Sequence, residues 1–245
     1  MALEPKRLKA VVFDYGNTLV PFGCREIARL DAALSRGLAR HYPAPEEARV
    51  AAIRDRNRMA PYAGNPPICR ENDLREITIG MVKELYGCDP SEEVIADLLR
   101  VRHEAFLSVL ETPDYARGVL ERLRERRSLA LVSNYPNGAA IREGLNRSGL
   151  AGYFKAVVVS GDMGFCKPHP KVFRVALEAL ALGPREAVYV GDNWLADVQG
   201  AKRAGMAMIH TVQWETPEQF DRRPDDLAPD AVIHHLTELE PLLAE

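Results

Sequence analysis

Cysteine is scarce in this 245-residue chain: Cys24, Cys69, Cys88 and Cys166 are widely scattered and show no C-x-x-C spacing. That excludes a disulfide framework and a cysteine zinc site, and makes reduced thiols the expectation. Long apolar runs are also missing. The opening residues Met-Ala-Leu-Glu-Pro-Lys-Arg-Leu-Lys are charged and lead into an apolar run too short for a signal-peptide core or a membrane span, so a cytoplasmic protein without membrane contact is expected. Charge of one sign is lacking as well. The formal net charge is −3, and no basic stretch is interleaved with aromatics, which leaves no footprint for nucleic acid or an anionic membrane. A small anionic substrate would need only a local positive site. No repeat, no low-complexity tract and no feature pointing to a protein partner is present.

What the chain does have is a rhythm. Short apolar or β-branched runs recur at Ala10–Phe13, Leu129–Val132, Ala156–Val159, Ala187–Val190, Ala207–Ile209 and Ala231–Ile233, each suited to a fully buried strand. Helical patterns lie between the later runs. One is marked by Ile141 and Leu145, one by Val172, Phe173, Ala176, Leu177 and Leu180 before Gly183, and one by Leu195, Val198 and Ala201 before Gly205. Alternation of this kind predicts an α/β protein with a doubly wound, Rossmann-like parallel sheet. Residues 22–112 break the rhythm with helical periodicity and no convincing strand. They read as an all-helical insert in a core made of residues 1–21 and 113–245. The clearest insert helix follows Pro90, with Ser91 as N-cap, Glu92 and Glu93 in its first turn, and Val94, Leu98, Val101, Ala105 and Val109 on one face. Ala60 to Pro67, punctuated by proline and glycine, is expected to be a loop. The alternating charges of Arg117–Arg127 suggest a solvated helix face.

Four segments fall where a strand should end, which in open α/β sheets is the ligand-binding edge. They are Asp14-Tyr15-Gly16-Asn17-Thr18, Ser133-Asn134, Cys166-Lys167-Pro168, and Gly191-Asp192 through Asp197. Together they supply three carboxylates, an ammonium and two hydroxyls. Phosphoryl transfer needs such a set: a nucleophile, charge neutralisation, and a metal that lets one anion approach another. Magnesium takes oxygen ligands and keeps several waters, so Asp14, Asp192 and a backbone carbonyl suffice. A carboxylate can attack phosphorus itself and divide one hard displacement into two easier ones.

From about Lys9 to Thr211 the motifs Phe13-Asp14 through Leu19, Leu131-Val132-Ser133-Asn134, Lys167-Pro168-His169-Pro170 and Gly191-Asp192 through Asp197 follow one another in an order and spacing that resemble the haloacid dehalogenase (HAD) superfamily of hydrolases. The helical insert takes the position of that superfamily's small cap domain. The resemblance implies Asp14 as nucleophile and magnesium ligand, and the backbone carbonyl of Gly16 as a further ligand. Asp192 would ligate magnesium directly. Asp197 would act at the metal site from behind, orienting a metal-bound water or Lys167. It further implies Thr18 and Ser133 on phosphate oxygens and Lys167 offsetting the charge of Asp14 and phosphate.

One position departs from the pattern. Most phosphatases of the superfamily carry a second aspartate, the general acid and base, where this chain has Gly16. Loss of a positioned acid costs on the order of 10²–10⁴ in rate. The favoured expectation is a magnesium-dependent phosphatase acting on a small phosphorylated metabolite through an aspartyl phosphate, with either a good leaving group or an acid from the cap. A resemblance to 2-haloacid dehalogenases is the second reading, although these need no metal and leave Asp192 unexplained. A third is a phosphonoacetaldehyde hydrolase-like enzyme, which requires a cap lysine; Lys83 is the only lysine of the insert. A fourth is a phosphate-binding protein impaired in turnover. A mutase, needing acid and base twice, fits Gly16 worst. Substrate contacts are expected from Tyr15 and Asn134 on the motifs and from Tyr62, Asn65 and Arg70 on or beside the Pro/Gly loop, because loops carry specificity on rigid scaffolds. His169 is a candidate stand-in acid that more simply reads as an exposed loop residue, Cys166 reads as packed, and Trp194 either roofs the pocket or packs under it.

Overall fold

The computed structural model describes residues 3–64, 67–214 and 222–244. Along the chain, β1 (Ala10–Phe13) is followed by four helices, α1 (Cys24–Leu38), α2 (Glu47–Met59), α3 (Leu74–Tyr86) and α4 (Glu92–Val109). The alternating part then runs α5 (Asp114–Arg124), β2 (Ser128–Ser133), α6 (Gly138–Arg147), β3 (Ala156–Val159), the single turn α7 (Ser160–Met163), α8 (Pro170–Leu180) and β4 (Ala187–Gly191). A π-helix at Trp194–Gln199 runs into α9 (Gly200–Arg203), and β5 (Ala207–Thr211), β6 (Ala231–Ile233) and α10 (Leu239–Leu242) close the described chain. The six strands form one sheet in the order β3-β2-β1-β4-β5-β6, every pairing parallel.

Side chains alternate across each strand, so one apolar run serves two layers. Val11 and Phe13 of β1, Leu129 and Leu131 of β2, and Val188 and Val190 of β4 pack with Val119, Leu120 and Leu123 of α5 and Ile141 and Leu145 of α6. Ala10, Val12, Ala130, Val132, Ala187 and Tyr189 face Val172, Phe173 and Ala176 of α8 and Val198 and Ala201. The expected doubly wound sheet is therefore present, with strand positions close to those read from the sequence.

The four helices after β1 have a small apolar cluster of their own: Leu34, Leu38, Val50, Ile53, Met81, Val82 and Leu98. Gly37 brings α1 and α4 together, because a Cβ there would stand 3.2 Å from Val101 and 3.3 Å from Leu98. Ser91 caps α4 as expected, its hydroxyl accepting from the Val94 amide at 3.3 Å. Asp73 caps α3 in the same way, and Gly87, at φ +70°, ends it. The Ala60–Pro67 segment is not all loop, since Ala60–Tyr62 forms a 3₁₀ turn. The charged run at Arg117–Arg127 is also only partly solvated. Arg127 is buried and donates to the carbonyls of Leu8 at 3.0 Å and Leu243 at 2.8 Å, joining the two ends of the described chain; its place beyond the last turn of α5 removes it from that helix's outer face.

Candidate active site

The central strands end together. The Asp14 amide still bonds to the Val190 carbonyl at 2.9 Å, so β1 delivers its next residue at the sheet's carboxyl edge beside the end of β4. The chain then turns sharply. Asn17 adopts φ 54°, and its side chain both accepts from the Phe22 amide at 2.8 Å and donates to the Phe22 carbonyl at 3.2 Å. Asn is one of the few residues that tolerates that left-handed conformation cheaply.

Lys167 is 1% exposed, and its ammonium is held from several sides. Nζ lies 2.6 Å from Asp14 Oδ1 and 2.7 Å from Asp197 Oδ1, with the Tyr189 hydroxyl at 2.8 Å and the Val132 carbonyl at 3.0 Å. A buried charge persists only when paired and hydrogen-bonded. Burial pulls the ammonium down, but Asp14 and Asp197 outweigh it and hold Lys167 above the usual lysine range. Burial acts oppositely on the carboxylates. It raises Asp14 from 3.8 to about 6 against the pull of Lys167, and with Asp14 and Asp197 as neighbours it lifts Asp192 well above its ordinary value.

The π-helix explains how Asp197 arrives there. Asn193 caps it by accepting from the Ala196 amide at 2.8 Å, and the Asn193 amide in turn bonds to Asp197 Oδ2 at 2.9 Å. The carboxylate is folded back over the end of β4, where a Cβ on Gly191 would stand 2.5 Å from it. Only glycine leaves that space. His210 of β5 donates through Nε2 to the Asp192 carbonyl at 2.8 Å, fixing the segment on its other side.

Asp14, Asp192 and Asp197 each offer an oxygen within 4.8 Å of the others. Three carboxylates against one ammonium leave surplus negative charge in a poorly hydrated place, and the donors are all oxygen, which fits a hard divalent cation such as magnesium. Asp14, Asp192 and Asp197 are the residues able to hold such an ion, and Asp14 and Asp197 also meet the Lys167 ammonium.

These groups form one end of a cavity of about 340 Å³ whose other end lies among the cap helices. Asp14, Gly16, Ser133, Asn134, Tyr62, Lys167, Asp192 and Asp197 all line it. Asn134 is partly committed elsewhere: its side chain accepts from the Lys167 amide at 2.7 Å, donates to the Lys167 carbonyl at 3.0 Å and donates to the Tyr62 hydroxyl at 3.0 Å, tying cap to core.

Other expected positions fall elsewhere. Thr18 is fully buried and turns its hydroxyl to Asp14 Oδ2 at 3.4 Å instead of lining the cavity. Tyr15 is likewise no substrate contact. Residues leaving a strand alternate in direction, and Tyr15 goes into the α5/α6 layer, its hydroxyl buried without a partner among the described residues. Arg70 is exposed and bridges Phe165 through its backbone, outside the cavity lining. Asn65 lies outside the described residues. His169 caps α8, accepting from the Lys171 amide at 3.2 Å, and stacks on Phe165. Trp194 packs against the α8 layer and donates to Asp226 at 2.6 Å. Cys166 is packed, its thiol pushed up to about 12 by burial. Lys83 is exposed and pairs with Asp89 at 2.7 Å, away from the cavity, so the requirement of a cap lysine for Schiff-base chemistry is not met there.

Several residues carry no signal that sequence reading picked up: Tyr189 and His210 in the core, and Asp31, Arg54, Arg58, Glu71 and Arg102 on the cap wall. Among the described residues no helix is long and apolar enough to cross a membrane.

A family model described as haloacid dehalogenase-like hydrolase matches residues 8–205. A glyceraldehyde 3-phosphate phosphatase from Methanopyrus kandleri is 30% identical over 97% of this chain and 98% of its own. Among solved structures, a 2-haloacid dehalogenase from Pseudomonas syringae pv. Tomato matches with a TM-score of 0.69 and 26% identity, covering 96% of this chain and 98% of its own. The HAD phosphatase from Thermococcus onnurineus matches with a TM-score of 0.63 and 25% identity over the same shares. With its sheet, its helical cap and most of its length accounted for in this way, the chain belongs to the haloacid dehalogenase-like hydrolases.

Proposed function

We propose that this hydrolase is a magnesium-dependent phosphatase of small phosphorylated metabolites, working in the cytoplasm through an aspartyl phosphate on Asp14, with residues 22–112 as the cap that selects the substrate. The observation that carries the reading is the Asp14, Asp192 and Asp197 set within 4.8 Å, Asp14 and Asp197 buried and Asp192 partly so, beside Lys167 at one end of a small-molecule-sized cavity. The phosphatase named for glyceraldehyde 3-phosphate, similar over nearly the whole length, supports it.

Magnesium, held by Asp14, Asp192 and the Gly16 carbonyl, would draw charge from the phosphate and so permit an anionic nucleophile to approach. Lys167 favours the ionised form of Asp14 against the opposing effect of burial, keeps it in place and offsets charge that grows on the phosphoryl oxygens. Asp197 and Tyr189 keep the ammonium from swinging away. An Asp14 oxygen forms a bond to phosphorus as the ester P–O bond breaks, and water later cleaves the acyl phosphate, releasing phosphate and restoring the carboxylate. Ser133 at the cavity wall donates to a phosphate oxygen, while Thr18 orients Asp14.

The leaving oxygen needs a proton that Gly16 does not supply. Asp31 and Glu71 line the cavity from the cap, and burial raises both carboxyls, so each keeps a proton more readily than an exposed acid. The dehalogenase reading, favoured by the Pseudomonas syringae structure, leaves Asp192 without a purpose.

Phosphate release from a panel of small phosphomonoesters, with and without magnesium, tests the proposal. Asp14→Asn should lose about 10³-fold or more in rate; retention of the parent rate would sink the mechanism. Halide release from 2-chloropropionate without magnesium, indifferent to Asp192→Asn, would establish the rival.

A further inference from the structure

Away from the carboxylates, the cavity has a second charged wall. Arg54 and Arg58 of α2 and Arg102 of α4 line it, with Asp31 of α1 and Glu71 ahead of α3. Three guanidiniums thus face two carboxyls. Their pairing is uneven. Arg54 meets Asp31 at 2.9 Å and Asp55 at 3.0 Å, and Arg58 reaches Asp55 at 3.5 Å.

Arg102 is half-buried and makes no ion pair within 4.0 Å among the described residues. Its Nη2 donates only to the Met81 sulfur at 3.7 Å, a weak acceptor, and its Nε is buried with no partner, as is the Nε of Arg54. A guanidinium stays charged in a protein and presents a planar fork that matches a carboxylate. Asp31 acts on Arg102 only from beyond contact distance and is itself paired with Arg54; a partly dehydrated guanidinium with no anion in contact is unfavourable, so this wall is built to receive one. Phe22, Ile27, Leu30, Leu34 and Ile77 supply apolar surface between the two ends, suiting a short carbon chain.

We propose that Arg102, supported by Arg54 and Arg58, binds a carboxylate at the end of the substrate remote from its phosphate, so that the preferred substrates are phosphorylated carboxylic acids. The inference rests on the phosphatase reading only for the identity of the other end.

A binding titration separates the two. In the Asp14→Asn protein with magnesium, 3-phosphoglycerate and glycerol 3-phosphate share a phosphate and a three-carbon chain and differ in carboxylate against hydroxymethyl. The carboxylate ligand should bind about 10- to 100-fold more tightly, as one charge-assisted bidentate contact would give. Adding Arg102→Met should bring the ratio close to one, and Arg102→Lys should keep part of it. Equal affinities, binding of neither ligand, or a ratio untouched by Arg102→Met overturns the subsite, and the first two outcomes decide even if the Arg102 variants do not fold. Phosphate release by the parent protein is read separately. A carboxylate preference in binding with no release from any ester defeats the phosphatase reading and leaves the subsite standing, whereas release without preference does the reverse.

Discussion

The core wall and the cap wall of the cavity are both charged, yet they are held in different ways. On the core wall the reactive groups sit at the ends of parallel strands or on the turns beyond them, and Asp14, Lys167 and Asp197 are buried with each charge met by a partner. On the cap wall the guanidiniums project from helices. α2, which carries Arg54 and Arg58, buries only Val50 and Ile53, and is held further by ion pairs, the sheltered Arg54–Asp31 and exposed ones such as Arg56–Glu84. A sheet edge fixes atoms to fractions of an ångström through its neighbours on both sides, which bond-making requires. A helix face with a small core tolerates change, which suits selectivity. Chemistry and recognition are thus divided between a stiff half and an adaptable half.

Removing the stiff half's central charge should have the largest effect. Lys167→Met leaves Asp14 and Asp197 buried without their ammonium, and kcat/KM should fall by about 10³-fold, with stability lowered by about 3–5 kcal/mol in urea melts. A rise in KM alone, with kcat kept, would mean that the core wall only binds.

Next comes the adaptable half's own core. Leu98→Ala, at a position 1% exposed in the cap cluster, should cost about 2–3 kcal/mol, the low side for such truncations because a small cluster relaxes into the cavity. Hydrogen exchange should quicken in α1 to α4 and stay slow in β1, β2 and β4. Equal loss of protection in the sheet would show that the two halves open as one unit and dissolve the contrast.

The smallest effect is a dependence on pH. Asp14 in the metal-free protein titrates near 6, raised from 3.8 by burial, so the native state keeps a proton that the unfolded chain releases. Its stabilising contribution is complete below 3.8 and is lost as pH rises through about 6. Magnesium binding to the ionised carboxylates should restore stability where it has been lost. A melting-temperature rise of roughly 5 °C is expected at about pH 7.5, shrinking toward zero near pH 4. An equal rise at both pH values would separate the metal from these carboxylates.

Much of the stiff half was legible before any fold was in hand. Ala10–Phe13 and Ala187–Gly191 are short apolar runs because strands buried on both faces have no polar side to show, and the residues following such runs must stand at the sheet's edge. Tyr15 departs from expectation for a reason of the same kind: adjacency in sequence to Asp14 says nothing of direction, and the next side chain leaves on the opposite face. Arg70 lies off the cavity lining because nearness to a loop is not nearness to a cavity. Arg102 left no mark at all, since one arginine among the charged residues of α4 looks like any solvated helix charge until the helix is packed.

The sequence by itself determined the strand positions, the parallel alternating architecture, the helical insert and the set of acids and lysine carried on the segments that follow the strands, because each depends on local periodicity or on a short motif in order. Only the tertiary structure decided which charges are paired and which are left facing the cavity: Lys167 between Asp14 and Asp197, Asn134 holding Tyr62, Arg102 without a carboxylate in contact among the described residues. Ion pairing and dehydration depend on distance in space and on what excludes water, and neither is written in the separation of residues along a chain.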